Sequence, residues 1–328
     1  MRRGALVVLL SVTTAARAQA FVRKVNEKTD VPTFWNKSCV SVTVYLNGFD
    51  KSQNQYALTV AGIMKSVTEA AHTWSGDVVA CPAGDAPYLE IVPTLAPVNA
   101  PAPSVADDAK NVIVFRTDRW PSDHDPSALA VTSVTSEGDG HISDVDMEIN
   151  ATSSTMRWMN FDPGFLPPAD QHMDADYYDL QNALTHEFGH FIGLDHTCFK
   201  PDRPGSDVSA KGALRPTDDR GARVPDCGPL TSPPDVQATV MYDVSSPGEV
   251  SKRTLSPDDV SAVCAIYAPS RPHEKTCALD KPPVGCEVAG TSTRGSVCVP
   301  SAACAVALLV EAARRRRRRV SDPRRARV

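Results

Sequence analysis

The sequence predicts a domain of the α/β (α+β) class, and three observations carry that expectation. Five short runs, 41–46, 88–92, 111–115, 129–134 and 142–149, are rich in β-branched or alternating apolar residues, the pattern of strands. Two longer segments, 56–74 and 177–194, place apolar residues at helical spacing. A third helix is expected at 256–267, where the start signals are strong.

In chain order, Ser41-Val42-Thr43-Val44-Tyr45-Leu46 alternates and opens the set of strands. The helix from Tyr56 runs to Trp74 and stops at Ser75-Gly76. Tyr88 to Val92 is the second strand, followed by a Pro- and Ala-rich loop from Pro93 to Pro103. Asn111 to Phe115, Leu129 to Val134 and Ile142 to Ile149 are the third, fourth and fifth. The next helix begins near Tyr177, with Asp176 or Asp174 as its N-cap. From Lys200 to Pro234 the chain is rich in Pro, Gly and Asp, and a long irregular segment is expected. In the last helix Ser256 caps, Pro257 takes the first position, and Asp258 and Asp259 suit the N-terminal dipole.

Both ends of the 328-residue chain are distinct from its body. Arg2-Arg3, an apolar run from Ala5 to Val12 and Ala18-Gln19-Ala20 form a secretory signal, residues 1–20, cleaved after Ala20. Residues 21–270 are the expected folded domain, and 271–296 a Cys-containing linker. Residues 297–328 join a 14-residue apolar stretch, Val297–Val310, to an arginine run, Arg314–Arg319. That stretch is short of the ~20 residues that span a bilayer. It resembles the Cys-apolar-Arg sorting tails of myxobacterial surface proteins, which implies cell-surface attachment with Cys304 or Cys298 as the processed residue. The alternative is a disordered basic tail.

Without the signal and the tail, residues 21–310 hold 22 basic and 37 acidic side chains, a net charge near −15. Such a surface argues against a nucleic-acid partner and fits an extracellular life. A signal peptide makes disulfides expected among the nine cysteines. Cys39 with Cys81 is one candidate pair; Cys198, Cys227 and Cys264 are three candidates for one bridge; Cys277 with Cys286 is another.

The densest chemistry lies in ALTHEFGHFIGLDHTC, residues 183–198, with three of the eight histidines. A spacing of four puts His186 and His190 on one face of a helix, about 5–6 Å apart at Cβ. Two ring nitrogens so placed can share a zinc ion. Glu187 then points beside the metal, where it can act as general base on a water. Gly193 lets the chain turn out of the helix, and His196 returns as third ligand. Three protein ligands with an open fourth position make a catalytic site.

His186-Glu187-Phe188-Gly189-His190-Phe191-Ile192-Gly193-Leu194-Asp195-His196 resembles the zinc motif of the metzincin peptidases. Met241, in Thr239-Val240-Met241-Tyr242, resembles their Met-turn, which supplies an apolar floor and no ligand. Within that group the matrixins are closest. Their first helix ends in Trp, as at Trp74, their Met-turn is followed by Tyr, as at Tyr242, and their last helix matches Leu255, Asp258, Asp259, Val260, Ile266 and Tyr267. The resemblance covers about residues 32–268. It implies a zincin-like fold: a twisted five-stranded mixed sheet with two helices behind it, a Met-turn and a C-terminal helix. Asp146 stands where matrixins carry a structural-zinc histidine, so one catalytic Zn²⁺ is expected. The Pro that follows Tyr in the matrixin pocket wall is replaced by Asp243.

The function so implied is a monomeric, secreted or surface-anchored zinc endopeptidase, cleaving protein or peptide substrates. Leu129 and Ala130, on an edge strand, would hold an extended peptide by strand addition. Asp139, Asp144, Asp146 and Glu148 are candidate Ca²⁺ ligands, or simply the charges of a solvated hairpin. From another class, the alternative is an adhesion or binding protein that keeps the fold without catalysis.

Overall fold

The computed structural model describes residues 21–275, apart from 53–54, 83, 98–99, 102, 153–155, 162–175 and 202–213. The expected signal and C-terminal tail lie outside the described residues, as do Asp174, Cys277, Cys286, Cys298 and Cys304.

In chain order the strands and helices are β1 (Val22–Arg23), β2 (Cys39–Tyr45), α1 (Val60–His72), β3 (Glu90–Leu95), β4 (Val112–Arg116), β5 (Ala130–Ser136) and β6 (Ile142–Asn150). These are followed by β7 (Met156–Met159), β8 (Asp176–Asp179), α2 (Leu180–Phe191), β9 (Leu194–Asp195), α3 (Pro234–Gln237) and α4 (Pro257–Ile266). The five runs expected as strands form a single mixed sheet in the order β3-β2-β4-β6-β5. β3, β2, β4 and β6 run parallel to their neighbours, whereas β5 is antiparallel to β6 and forms one edge.

Alternation in the strands and the apolar stripe of each helix build one core. Val40, Val42 and Val44 of β2, Ile113 and Phe115 of β4, and Val145, Met147 and Ile149 of β6 are buried in it. So are Ile63, Val67, Ala70 and Ala71 of α1, and Leu184, Phe188 and Phe191 of α2. α1 starts at Thr59, whose side chain accepts from Gly62 N at 3.1 Å. At its other end the indole of Trp74 is fully buried and donates to the carbonyl of Thr185 at 2.9 Å, tying α1 to α2. In α4, Ser256 and Asp259 form a reciprocal capping box.

Three expectations are corrected. α2 begins at Leu180, with Asp179 as its N-cap, not at Tyr177. Asp176–Asp179 is instead a strand, β8, paired in parallel with Met156–Met159. Tyr177 and Tyr178 are good strand formers, and a partner strand was present to take them. Cys39 does not pair with Cys81: Cys81 bonds Cys264, and Cys198 bonds Cys227. Nor is the chain beyond residue 270 a free linker at first. Glu274 bonds the backbone of Asn36 and Ser38, and His273 stacks on Tyr88 with centroids 3.8 Å apart.

The Cys81–Cys264 bridge joins residues 183 apart, linking the turn after α1 to α4. Opening so long a loop in the unfolded chain removes a large constraint. Replacing both cysteines with Ala is expected to lower the unfolding free energy by about 2–5 kcal/mol, measured by denaturant titration. The disulfides between described residues fit an oxidising or extracellular compartment. Among the described residues, no helix is long and apolar enough to cross a membrane.

Candidate metal centre

α2 carries His186, Glu187 and His190 on its buried side, and the chain beyond it returns His196. The return depends on Gly193. Its φ is +89°, and a Cβ there would lie 2.4 Å from the carbonyl oxygen of Thr33, so no other residue fits without strain. The last carbonyls of α2 and its turn are satisfied from outside. Trp35 Nε1 donates to Phe191 O at 2.9 Å, Tyr267 Oη to Ile192 O at 2.7 Å, and Lys24 N to Gly193 O at 3.0 Å. β9 then pairs with β1 and leads into His196.

The three imidazoles converge. His186 Nε2 lies 3.2 Å and His190 Nε2 3.0 Å from His196 Nε2. Two of the rings are fixed from behind: His186 Nδ1 lies 2.7 Å from Val240 O, and His190 Nδ1 lies 2.9 Å from Leu194 O. A carbonyl only accepts, so both Nδ1 atoms carry the proton and both Nε2 atoms present a bare lone pair to the centre. Burial pushes the His186 imidazole well below its ordinary pKa and lowers that of His190, so both rings are neutral. A proton on His196 could satisfy only one of the two facing lone pairs. A metal cation satisfies all three rings, and among the described residues this is the one group of side chains that could hold a metal ion.

The rest of the site is built around that centre. Val240 and Met241 occupy a tight turn closed by Tyr242 N donating to Thr239 O. Asp259, in the first turn of α4, accepts from Val240 N at 2.9 Å. Its carboxylate therefore fixes the peptide whose carbonyl orients His186. Met241 is 1 % exposed, and its carbonyl accepts from Thr197 N beside His196. Its thioether packs on α2 at Gly189, where a Cβ would lie 2.1 Å from Met241 Sδ. The lack of a side chain at Gly189 thus lets Met241 pack directly against the helix.

Lys252 is buried, and its ammonium binds the carbonyls of Tyr242 at 2.6 Å and Val244 at 3.0 Å and the hydroxyl of Ser245 at 2.8 Å. Burial lowers it to about 8. Asp243 lies 3.5 Å from His196 Nε2, and its other oxygen is 2.6 Å from Lys200 Nζ. Burial pushes that carboxyl up, but His196 and Lys200 outweigh it and hold it below its usual range. Its negative charge beside the triad favours a cation there.

Glu187 is 6 % exposed and accepts a 2.5 Å bond from Thr132 Oγ1 on β5. Burial pushes its carboxyl up, which makes it a better proton acceptor than a surface glutamate. Leu129 and Ala130, expected to hold substrate, lie at the start of that same edge strand and are half-buried.

The four acidic side chains expected to bind calcium do not form a ligand group. Asp144, Asp146 and Glu148 alternate along β6, and about 3.3 Å of rise per residue spreads them over roughly 13 Å. Each of two has other partners. Asp146 accepts from Ala106 N and Val112 N, and Glu148 pairs with Arg116 and His124. Asp139 is exposed and accepts from His141 N. The contacts that Thr132, Asp259, Lys252 and Asp243 make at the site were not foreseen, although the sequence already marked Asp243 as the residue after Tyr242 and Asp259 as part of the last helix. Thr132 also left a signal, a polar residue between Ala130 and Val134 on the inward face of a strand.

Asp259→Ala is expected to weaken metal binding about 10–100-fold, the cost of losing a group that orients a ligand. Competition with a chromogenic chelator measures it; unchanged affinity would separate Asp259 from the site. No protein-family model matches the chain, and no curated protein matches it either.

Proposed function

We propose that this chain is an exported zinc endopeptidase of metzincin type, with a matrixin-like catalytic domain. One observation carries the reading most of the way: three converging imidazoles stand beside a buried glutamate on the helix that supplies two of them. The Met241 turn packed under Gly189 supports the family assignment. The disulfides Cys81–Cys264 and Cys198–Cys227 and the signal-like start support export.

His186, His190 and His196 are the residues that would hold the metal. Zinc suits an all-nitrogen triad with an open fourth position, and when bound it supplies a Lewis acid for the scissile carbonyl and lowers the pKa of a water. Glu187 accepts the proton of that water and delivers it to the leaving amine. The free edge of β5 offers main-chain donors and acceptors to an extended peptide, with Leu129 and Ala130 at its start. The partner is then a protein or peptide, bound by a monomer, and not a nucleic acid.

Casein cleavage by the purified full chain tests this. Cleavage should stop with a chelator and return with added Zn²⁺. Zinc binding without any cleavage would favour a binding protein that keeps the fold.

A further inference from the structure

The hydroxyl on the inward face of β5 has no place in a core. Ala130 and Val134, two residues to either side of Thr132, both pack against the main apolar cluster. Strand alternation turns Thr132 to the same side, where a polar group must find a partner or pay for its desolvation. Its partner is the carboxylate of Glu187, 2.5 Å away. Among the described residues β5 is also the edge strand, paired with β6 alone.

We propose that Thr132 is the positioning residue of Glu187. The hydroxyl donates to Oε2 and fixes the plane of the carboxylate, leaving Oε1 to take a proton from whatever sits at the metal's open position. Because Thr132 belongs to the strand at which a peptide would add, one element sets both the line of the substrate and the aim of the base. This rests on Glu187 acting as the proton acceptor of the site. A merely structural threonine would fill space, and valine would serve as well, since it has the same shape without the hydroxyl.

The test uses the full chain loaded with Co²⁺, and the single variants Thr132→Val, Thr132→Ser and Glu187→Gln with the double variant Thr132→Val/Glu187→Gln. Metal stoichiometry is measured for each. Acetohydroxamate affinity is then read from the cobalt absorption bands, which needs no turnover. The probe chelates the metal and donates a proton to a carboxylate beside it. Thr132→Val is expected to bind one metal and to weaken acetohydroxamate about tenfold, with Thr132→Ser close to wild type. In the Glu187→Gln background the Val substitution should have little further effect, since both act through one interaction. For peptide cleavage, Thr132→Val should lower kcat about 10–100-fold with little change in KM, because misaimed groups cost rate rather than binding. Additive effects on acetohydroxamate, or a Ser variant as weak as Val, would overturn the proposal. So would a Val variant indistinguishable from wild type. Coupled acetohydroxamate binding in a chain that cleaves no peptide would uphold the positioning role and sink the peptidase reading instead.

Discussion

Glu187→Gln is expected to lower kcat/KM for peptide hydrolysis by about 10²–10⁴-fold, the usual share of a general base, while the chain still binds one metal ion. The amide is isosteric and can still accept from Thr132, so packing is preserved. What it cannot do is take a proton. Glu187 is 6 % exposed and burial pushes its carboxyl up, so the wild-type group takes a proton more readily than a surface glutamate. Val240 and Leu194, not Glu187, orient the rings of His186 and His190, so metal content should not fall. A fluorogenic peptide assay beside elemental analysis measures both. Full activity in the Gln variant would remove Glu187 from the mechanism.

His190→Ala is expected to have the largest effect on the metal itself. The ring is one of three, held by Leu194 O at 2.9 Å with its Nε2 3.0 Å from that of His196. Losing an outer partner costs about 10–100-fold in affinity, and losing a ligand should cost more than that. The purified variant should therefore carry far less than one metal per chain and show no cleavage. It should also lose the rise in Tm that added Zn²⁺ gives the wild type, because a ligand stabilises only the state it binds. Differential scanning with and without Zn²⁺ reads this directly. An undiminished zinc-dependent shift would mean that the metal sits elsewhere.

The parts of this site that were legible in the sequence are those set by local spacing. His186 and His190 are four apart, Glu187 adjoins the first, and Gly193 permits the turn to His196; helix geometry fixes their meeting. The five strands were legible for the same reason, since β-branched alternation is local and each run forms a strand of the sheet. The last helix was announced by Ser256, Pro257 and Asp259, and all three take the expected places.

What was hidden is set by contacts far along the chain. Asp176–Asp179 has a helical apolar pattern, yet Met156–Met159 claims it as a strand. Cys81 finds Cys264 across 183 residues, which no spacing rule foretells. Glu148 was a calcium candidate, but Arg116 and His124 from other segments bond its carboxylate. Thr132 reaches Glu187 only because β5 lies beside α2, and Asp259 reaches Val240 only because α4 docks against the Met241 turn. The three converging histidines are thus a property of one helix and its exit, and their orientation is a property of the whole fold.

The most direct measurement is a metal titration of activity. The full chain is stripped with chelator, and its cleavage of a fluorogenic peptide is followed as Zn²⁺ is added in small steps. The predicted result is no cleavage without metal and a linear rise that ends at one equivalent, with Glu187→Gln binding the same equivalent and remaining inactive. Cleavage by the metal-free chain, or a fully loaded wild type that cleaves nothing, would contradict the account.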